Sequence, residues 1–308
     1  MQFHILTKAI EISSFYYEKG GWANCVEYRT LEGNSPIAFS PDSKLLASTR
    51  ILSIAIYDIG SSRLIRTLEA KEPLKSVGAS IDLASNIQAI AFSPVGKLLA
   101  IGGVYYLPNN SYNGVTEVWN IENGRLIWWA EAGYENYVRS VAFSPNGKLL
   151  ACGGDQGIVP IFNAEDGRLI KTFEKEMDIM GSISWKDEKS LAIIDYDGKG
   201  LVYNVENDRV IKQFEALKEI VQRKMTVSPH HKFLAHLVEI ESVAPRKNTV
   251  EIFDISNGWD NIGKRSLIRT LEVGPGYMID DLRFSPDGRL LAVASRYERE
   301  IKIWKANY

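Results

Sequence analysis

Six times along this chain an apolar stretch runs into a turn of the type Phe-Ser-Pro-x-Gly, continues as Lys/Arg-Leu-Leu-Ala, and later closes on an aromatic followed by Asp or Asn. The clearest copies are Ile37 to Ser48, Ile90 to Ile101, Val141 to Cys152 and Leu282 to Val293. Two copies are degraded: Ile183 to Ile193 and Met225 to His236. The matching ends are Tyr57-Asp58, Trp119-Asn120, Phe162-Asn163, Tyr203-Asn204, Phe253-Asp254 and Trp304-Lys305. A unit repeated at fixed length restricts the fold more than any composition does, because each copy must make the same local structure and bury its apolar surface against its neighbours.

Phe39, Phe92, Phe143, Trp185, Val227 and Phe284 mark the register, at separations of 53, 51, 42, 42 and 57 residues. The shortest match a four-stranded unit of roughly 40–45 residues, and the longer ones are that unit with inserted loops. In the third copy Ser140 to Phe143 is a short buried strand. Ser144-Pro-Asn-Gly147 is a turn in which Pro fixes φ and Gly accepts a positive one. Lys148 to Cys152 is a second strand, Ile158 to Phe162 a third, and Arg168 to Phe173 a fourth that alternates across its two faces. Asn163 to Gly167 joins the last two as a tight turn. Such a meander cannot bury both faces alone, so neighbouring units must stack and the ring must close.

This pattern resembles the WD40 repeat family over about residues 26 to 308. The resemblance implies an all-β propeller of four-stranded blades, six favoured and seven the alternative, in one domain spanning 1–308. It also implies a scaffold in larger assemblies rather than an enzyme. One departure stands out. The family often places Gly-His before the first strand, and that His joins an Asp of a tight turn. Here Asp155 and Asp197 occupy the expected turn and no unit has the His. The blades are therefore expected to depend more on apolar packing than on that network.

The last copy ends on a third strand, Ile301 to Trp304. Near the other end Val26 to Leu31 matches the fourth-strand segments Leu64 to Leu68 and Leu267 to Leu271. Residues 26–31 are thus expected to pair with Ile301 to Lys305 and supply the missing strand. Residues 1–25 are surplus to this scheme, with strand-like segments at Phe3 to Leu6 and Ala9 to Tyr17.

A formal charge of −2 gives no global attraction to nucleic acid or an anionic membrane, and neither is expected as a partner. Two cysteines, Cys25 and Cys152, make no disulfide framework and suit a reducing, cytoplasmic setting. No signal peptide and no spanning apolar run is read. Four histidines are too few to place one per blade, and no Walker A, Rossmann or Gly-x-Ser-x-Gly pattern is present. No metal or cofactor is expected. Gly102-Gly103 and Gly153-Gly154 read as sharp strand-to-loop bends, with an anion cradle as the other reading.

Function is therefore expected in loops. Those joining strand four to one, and two to three, share a face. The largest insertions, Val104 to Asn113 and Glu239 to Asn248, fall there, as does the long approach from Ala70 to Asn86. The partner-binding candidates are Tyr105, Tyr106, Tyr112, Tyr134, Tyr137, Arg139, Arg246, Tyr277, Arg296 and Tyr297. Tyr and Arg combine large contact area with a polar tip and are enriched at interface hot spots. The expected ligand is a protein or peptide segment. An acidic or phosphorylated segment would meet Lys75, Arg139 and Arg246, and a cationic one the tyrosine rings. The other class of function is a small-molecule, metal or enzymatic site in a central channel. The insertion Ser256 to Ser266, with Trp259, would lie on the opposite face; Trp128 and Trp129 are adjacent in a strand, so one must face outward or into the neighbouring unit, and packing is the expected use of both.

Overall fold

The computed structural model describes residues 21–50, 53–69, 87–106, 111–134, 137–174, 180–215, 225–229, 232–240, 247–255, 266–275, 279–295 and 298–307. They form six four-stranded antiparallel sheets, one for each copy of the repeat. Four belong to one compact unit between Gly33 and Arg223. Its first sheet is β2 (Asn34–Phe39), β3 (Leu45–Arg50), β4 (Ser53–Asp58) and β5 (Arg63–Glu69). The second is β6 (Ile87–Phe92), β7 (Leu98–Tyr106), β8 (Tyr112–Asn120) and β9 (Arg125–Tyr134). The third is β10 (Val138–Phe143), β11 (Leu149–Gly154), β12 (Ile158–Asn163) and β13 (Leu169–Glu174), and the fourth β14 (Met180–Trp185), β15 (Ser190–Asp195), β16 (Lys199–Asn204) and β17 (Arg209–Glu215). The other unit joins the described residues up to Glu32 to those from 225 onward. It holds β18 (Met225–Val227), β19 (Phe233–Ile240), β20 (Lys247–Asp254) and β21 (Ser266–Pro275), and then β22 (Ile279–Phe284), β23 (Leu290–Ser295) and β24 (Glu300–Lys305) with β1 (Val26–Glu32).

The expected exchange between the chain ends is observed. β1 runs antiparallel to β24, from Val26 opposite Lys305 to Glu32 opposite Glu300. The segment just before β1 is not surplus. Trp22 is fully buried and meets Phe284 edge-on with centroids 5.3 Å apart, and Cys25 is buried in the same core. Asn307 fixes this arrangement: its backbone N–H donates to the Gly21 carbonyl (2.9 Å) and its side-chain amide to the Asn24 carbonyl (2.8 Å). The strand-like segments proposed at Phe3 to Leu6 and Ala9 to Tyr17 lie outside the described residues.

Local hydrogen bonding explains why the repeat folds alike each time. In the first turn of a copy, the serine hydroxyl accepts from the N–H five residues on, at 2.9 Å for Ser40 and Leu45, 3.0 Å for Ser144 and Leu149, and 2.9 Å for Ser285 and Leu290. The same hydroxyl donates to the Asp or Asn two residues on: Asp42 (2.6 Å), Asn146 (2.8 Å) and Asp287 (2.5 Å). In the turn between strands three and four, Asn120, Asn163 and Asn204 each accept two backbone N–H groups at 2.8–3.3 Å. This is the Asx arrangement, in which a short polar side chain stands in for backbone.

The centre strands are almost wholly apolar and buried, as strands covered on both faces must be: Leu99, Ala100 and Ile101 of β7 are inaccessible, as are Leu150 and Ala151 of β11. Two bulges recur. One lies near the start of strand one, between Ile87 and Ala89, Val138 and Ser140, Met180 and Ser182, and Ile279 and Asp281. The other lies in strand four and inserts Ile65, Ile127, Ile170, Ile211 and Ile268 at one shared position, with Tyr28 there in β1. The expected alternation of strand four therefore fails at this point. Leu169 and Ile170 are both exposed, because the bulge turns two successive residues outward.

In four of the six sheets the residue after the strand-four bulge ties its strand to a backbone carbonyl of a neighbouring segment. Arg66 donates to the Glu122 carbonyl (2.8 Å), Lys171 to that of Val205 (3.3 Å) and, in the other unit, Arg269 to that of Ala23 (2.9 Å). In the second sheet the position is Trp128, whose Nε1–H donates to the Ala164 carbonyl (2.9 Å) while its ring rests on Phe162 at 5.6 Å. Each such bond contributes about 1 kcal/mol, against about 1.5–3 kcal/mol for each fully buried Leu or Ile, so apolar packing dominates.

Gly102 corrects one expectation. It sits within β7 rather than at a bend, and a Cβ there would stand 2.4 Å from Val138 Cγ1 of the adjacent sheet. Close approach of two sheets requires the glycine.

Candidate interaction site

Strands β7, β8 and β9 are longer than the sequence suggested, and much of the proposed insertion in the second copy is strand. Tyr105 and Tyr106 end β7, Tyr112 and Asn113 open β8, and Tyr106 pairs with Tyr112 across the hairpin. The aromatic and β-branched content of these segments favours pairing over a free loop. Tyr134 is likewise the last residue of β9, opposite Asn113, and Arg139 lies inside β10 at its bulge. The fifth copy shows the same extension, with Glu239 and Ile240 in β19 and Lys247 and Asn248 in β20. The strand-four-to-one and strand-two-to-three ends of the second and third sheets place these groups on one rim.

Two clusters occupy that rim. In the first, the half-buried Tyr105 hydroxyl donates to Glu131 Oε1, and the Asn113 side-chain amide donates to Tyr105 Oη (3.2 Å) and Glu131 Oε2 (3.4 Å). Burial and then the hydrogen bond to Glu131 push the Tyr105 hydroxyl pKa above its ordinary value, so it stays a donor. In the second cluster Tyr112 and Tyr137 pack in a tilted arrangement, with centroids 4.6 Å and ring planes 53° apart. The Arg139 guanidinium lies 5.0 Å from the Tyr137 centroid and 5.9 Å from that of Tyr196 in the next sheet. Its Nε donates to Asp155 Oδ1 at 2.5 Å and a terminal nitrogen to Oδ2 at 3.3 Å. Burial opposes the Arg139 cation, and the bonds and charge of Asp155 outweigh it, so its pKa is raised.

Asp155 is thus held by Arg139, which lies inside β10, where the resembled family would use a histidine that precedes the first strand. A polar contact is retained there through another residue type, and the forked geometry of guanidinium on carboxylate suits it. The other named turn acid, Asp197, lies in the turn between β15 and β16, and a second acid holds that turn. Asp195, buried at the end of β15, accepts the Lys199 N–H at 2.8 Å.

Of the ten partner-binding candidates, Tyr105, Tyr112, Tyr137 and Arg139 fall in these clusters. Tyr106 and Tyr134 share the strand ends through their backbones. Arg246, Tyr277, Arg296 and Tyr297 lie outside the described residues, as do Lys75 and Trp259. Sequence reasoning missed Glu131 and Asn113. Glu131 occupies a strand-four position that is also Glu in the other five copies (Glu32, Glu69, Glu174, Glu215 and Glu272), so nothing local distinguished it. Tyr196 was missed because its copy is degraded. Trp129 contradicts the expectation that both tryptophans pack, since Trp128 is buried and Trp129 is 47% exposed. Among the described residues no group of three His, Cys, Asp or Glu side chains could hold a metal, and no helix is long and apolar enough to cross a membrane.

Comparisons with known proteins bear on the scaffold. A model of the WD domain, G-beta repeat, matches residues 265–305, and one of the anaphase-promoting complex subunit 4 WD40 domain matches residues 113–188. Probable U3 small nucleolar RNA-associated protein 18 of Schizosaccharomyces pombe is 22% identical over 78% of this chain and 44% of its own length. Small ribosomal subunit protein RACK1y of Oryza sativa is 24% identical over 60% of this chain and 48% of its own. COMPASS component SWD3 of Saccharomyces cerevisiae is 25% identical over 64% of this chain and 69% of its own. The chain spans less than half the length of the first two. WD40 models match parts of both compact units, and every copy of the repeat forms a four-stranded sheet, so this chain is built of WD40-type repeats whose sheets have the form of β-propeller blades.

Proposed function

We propose that the protein is a non-catalytic interaction scaffold that binds a protein or peptide segment through the rim formed by the second and third sheets. The observation that carries this reading is the tilted Tyr112–Tyr137 ring pair, continued by a guanidinium that Asp155 and Tyr137 already hold in place. Aromatic rings fixed before binding lose little entropy on contact, which suits recognition. The names of two relatives support the same class, a small ribosomal subunit protein and a COMPASS component, while a third is named as U3 small nucleolar RNA-associated. Arg139 is neutralised by Asp155, which weakens the case for an acidic ligand at this point of the rim. Two free, buried cysteines suit work in a reducing compartment such as the cytoplasm.

The test is affinity capture from a cell lysate with the tagged full chain, followed by mass spectrometry and measurement of Kd for the captured partner. A Tyr112→Ala, Tyr137→Ala double variant is expected to weaken that partner by tenfold or more, roughly the effect of losing one or two hot-spot residues. An unchanged Kd would remove the rim from consideration.

A further inference from the structure

The outer edge of the second sheet breaks the pattern that the other five keep. After the strand-four bulge the other copies read Arg66-Thr67, Lys171-Thr172, Lys212-Gln213, Arg269-Thr270 and Arg29-Thr30, a cation followed by a short polar residue or Gln. Cations and polar residues on an edge strand discourage pairing with other chains. The second sheet has Trp128-Trp129 instead. Trp128 serves its sheet by packing on Phe162. Trp129 has no such role: it is 47% exposed at the position the other copies fill with Thr or Gln. Among the described residues β9 pairs with β8 alone, and with ten residues it is as long as any outer strand.

Two residues further on, Glu131 shares the face of Trp129, about 7 Å along the strand. Its carboxylate is exposed yet already oriented by Tyr105 and Asn113. An indole face beside a fixed carboxylate is complementary to one kind of group, a flat or compact cation.

We propose that β9 is a docking edge for an extended partner segment that bears a lysine or arginine. The segment adds as a fifth strand, and its basic side chain lies against the Trp129 ring with its charge at Glu131. Main-chain pairing supplies the general affinity and the Trp129–Glu131 pair the selectivity. β9 is irregular at both ends of this stretch, at Ile127 and again between Glu131 and Tyr134, so the regular edge offered for pairing is Trp128 to Glu131. This surface shares Glu131 with the rim but does not use the Tyr112–Tyr137 pair, and it stands or falls without that pair.

The probe is a fluorescein-labelled peptide, Thr-Lys-Val-Lys-Thr with blocked ends, titrated with the full chain and followed by anisotropy. Its counterparts carry Glu in place of both lysines, or N-methyl groups on the edge that would pair. The lysine peptide is expected to bind at least tenfold more tightly than the glutamate peptide, and N-methylation to abolish binding. Trp129→Thr, which installs the residue four other copies carry, is expected to weaken binding about fivefold or more with an unchanged urea midpoint. Glu131→Gln keeps an acceptor for Tyr105 and is expected to weaken binding and flatten its salt dependence. Tyr112→Ala is expected to change nothing. Equal binding of the lysine and glutamate peptides, absence of binding, insensitivity to N-methylation, or a Trp129→Thr variant that binds like wild type would each overturn the proposal.

Discussion

The second and third sheets are neighbours built from copies of one repeat, and they solve the same local problems differently. In the third, Asn146 accepts from the Ser144 hydroxyl and Lys171 ties the outer strand to the next turn. In the second, Val95 stands where Asn146 stands, is 60% exposed, and leaves the buried Ser93 hydroxyl without a partner among the described residues. Trp128 takes the place of Lys171, keeps a hydrogen bond to the next turn and adds a packed ring to it. The third sheet follows the repeat, and the second departs from it on an edge and at a turn. Departures from a rule that the rest of the chain keeps mark either tolerated defects or positions kept for another purpose, and mutation separates the two.

The largest difference is expected at the outer-strand tie. Trp128→Ala removes a buried ring that also lies over Gly167, where a Cβ would stand 2.6 Å from the indole and φ is +74°. It should cost about 3–5 kcal/mol in urea unfolding, the range for emptying a large buried site. Lys171→Ala loses one part-exposed hydrogen bond and a surface ion pair with Asp208 (3.2 Å), and should cost about 1 kcal/mol or less. Equal costs would show that the two ties are energetically alike and remove the contrast.

A smaller effect of opposite sign is expected at the turn. Val95→Asp supplies the acceptor that Ser93 lacks and removes an exposed apolar group, so it should stabilise by about 0.5–1.5 kcal/mol by thermal or urea unfolding. Destabilisation would show that Val95 packs usefully against the turn at Gly147, where a Cβ would stand 3.1 Å from Val95 Cγ2.

The smallest effect concerns acid. The Ser40 hydroxyl, then the Lys44 N–H and charge, hold the Asp42 carboxyl below its ordinary value of 3.8. A depressed folded-state pKa stabilises above the ordinary value, and that contribution is lost as pH falls through the folded one. Asp42→Asn keeps the acceptor, as Asn146 does natively, and removes the titration. Its Tm should therefore fall less steeply than wild type between about pH 4 and pH 2, by a small margin because the group is mostly exposed. Parallel Tm curves would show that Asp42 contributes nothing to acid sensitivity.

The strands and the turns were legible in the sequence because their bonds are short-range. Ser40 reaches Leu45, and Asn163 reaches Glu165 and Asp166, within five residues. The pairing of Val26 to Leu31 with the last strand was legible for another reason: one copy lacked its fourth strand and one segment matched it. The rim was legible only as a set of tyrosines. Arg139 was read as a free contact residue, and it is bound to Asp155, because a bulge between Val138 and Ser140 resets the direction of the side chain. Trp128 and Trp129 could not be separated from the sequence, since the bulge at Ile127 decides which one turns inward.

What the sequence determined by itself was the unit: four strands, two turns, the aromatic-plus-Asx end and the exchange between chain termini. Each follows from periodicity and from hydrogen bonds that close within a few residues. What only the tertiary structure decided was how one unit meets the next. The ties from Arg66 to Glu122, Trp128 to Ala164 and Lys171 to Val205 join residues 56, 36 and 34 positions apart. The glycine at 102 is required by Val138 of another sheet. Contacts at that range depend on the stacking of whole sheets and on bulges that shift a strand by one residue, and a one-residue shift is enough to send a side chain to the opposite face.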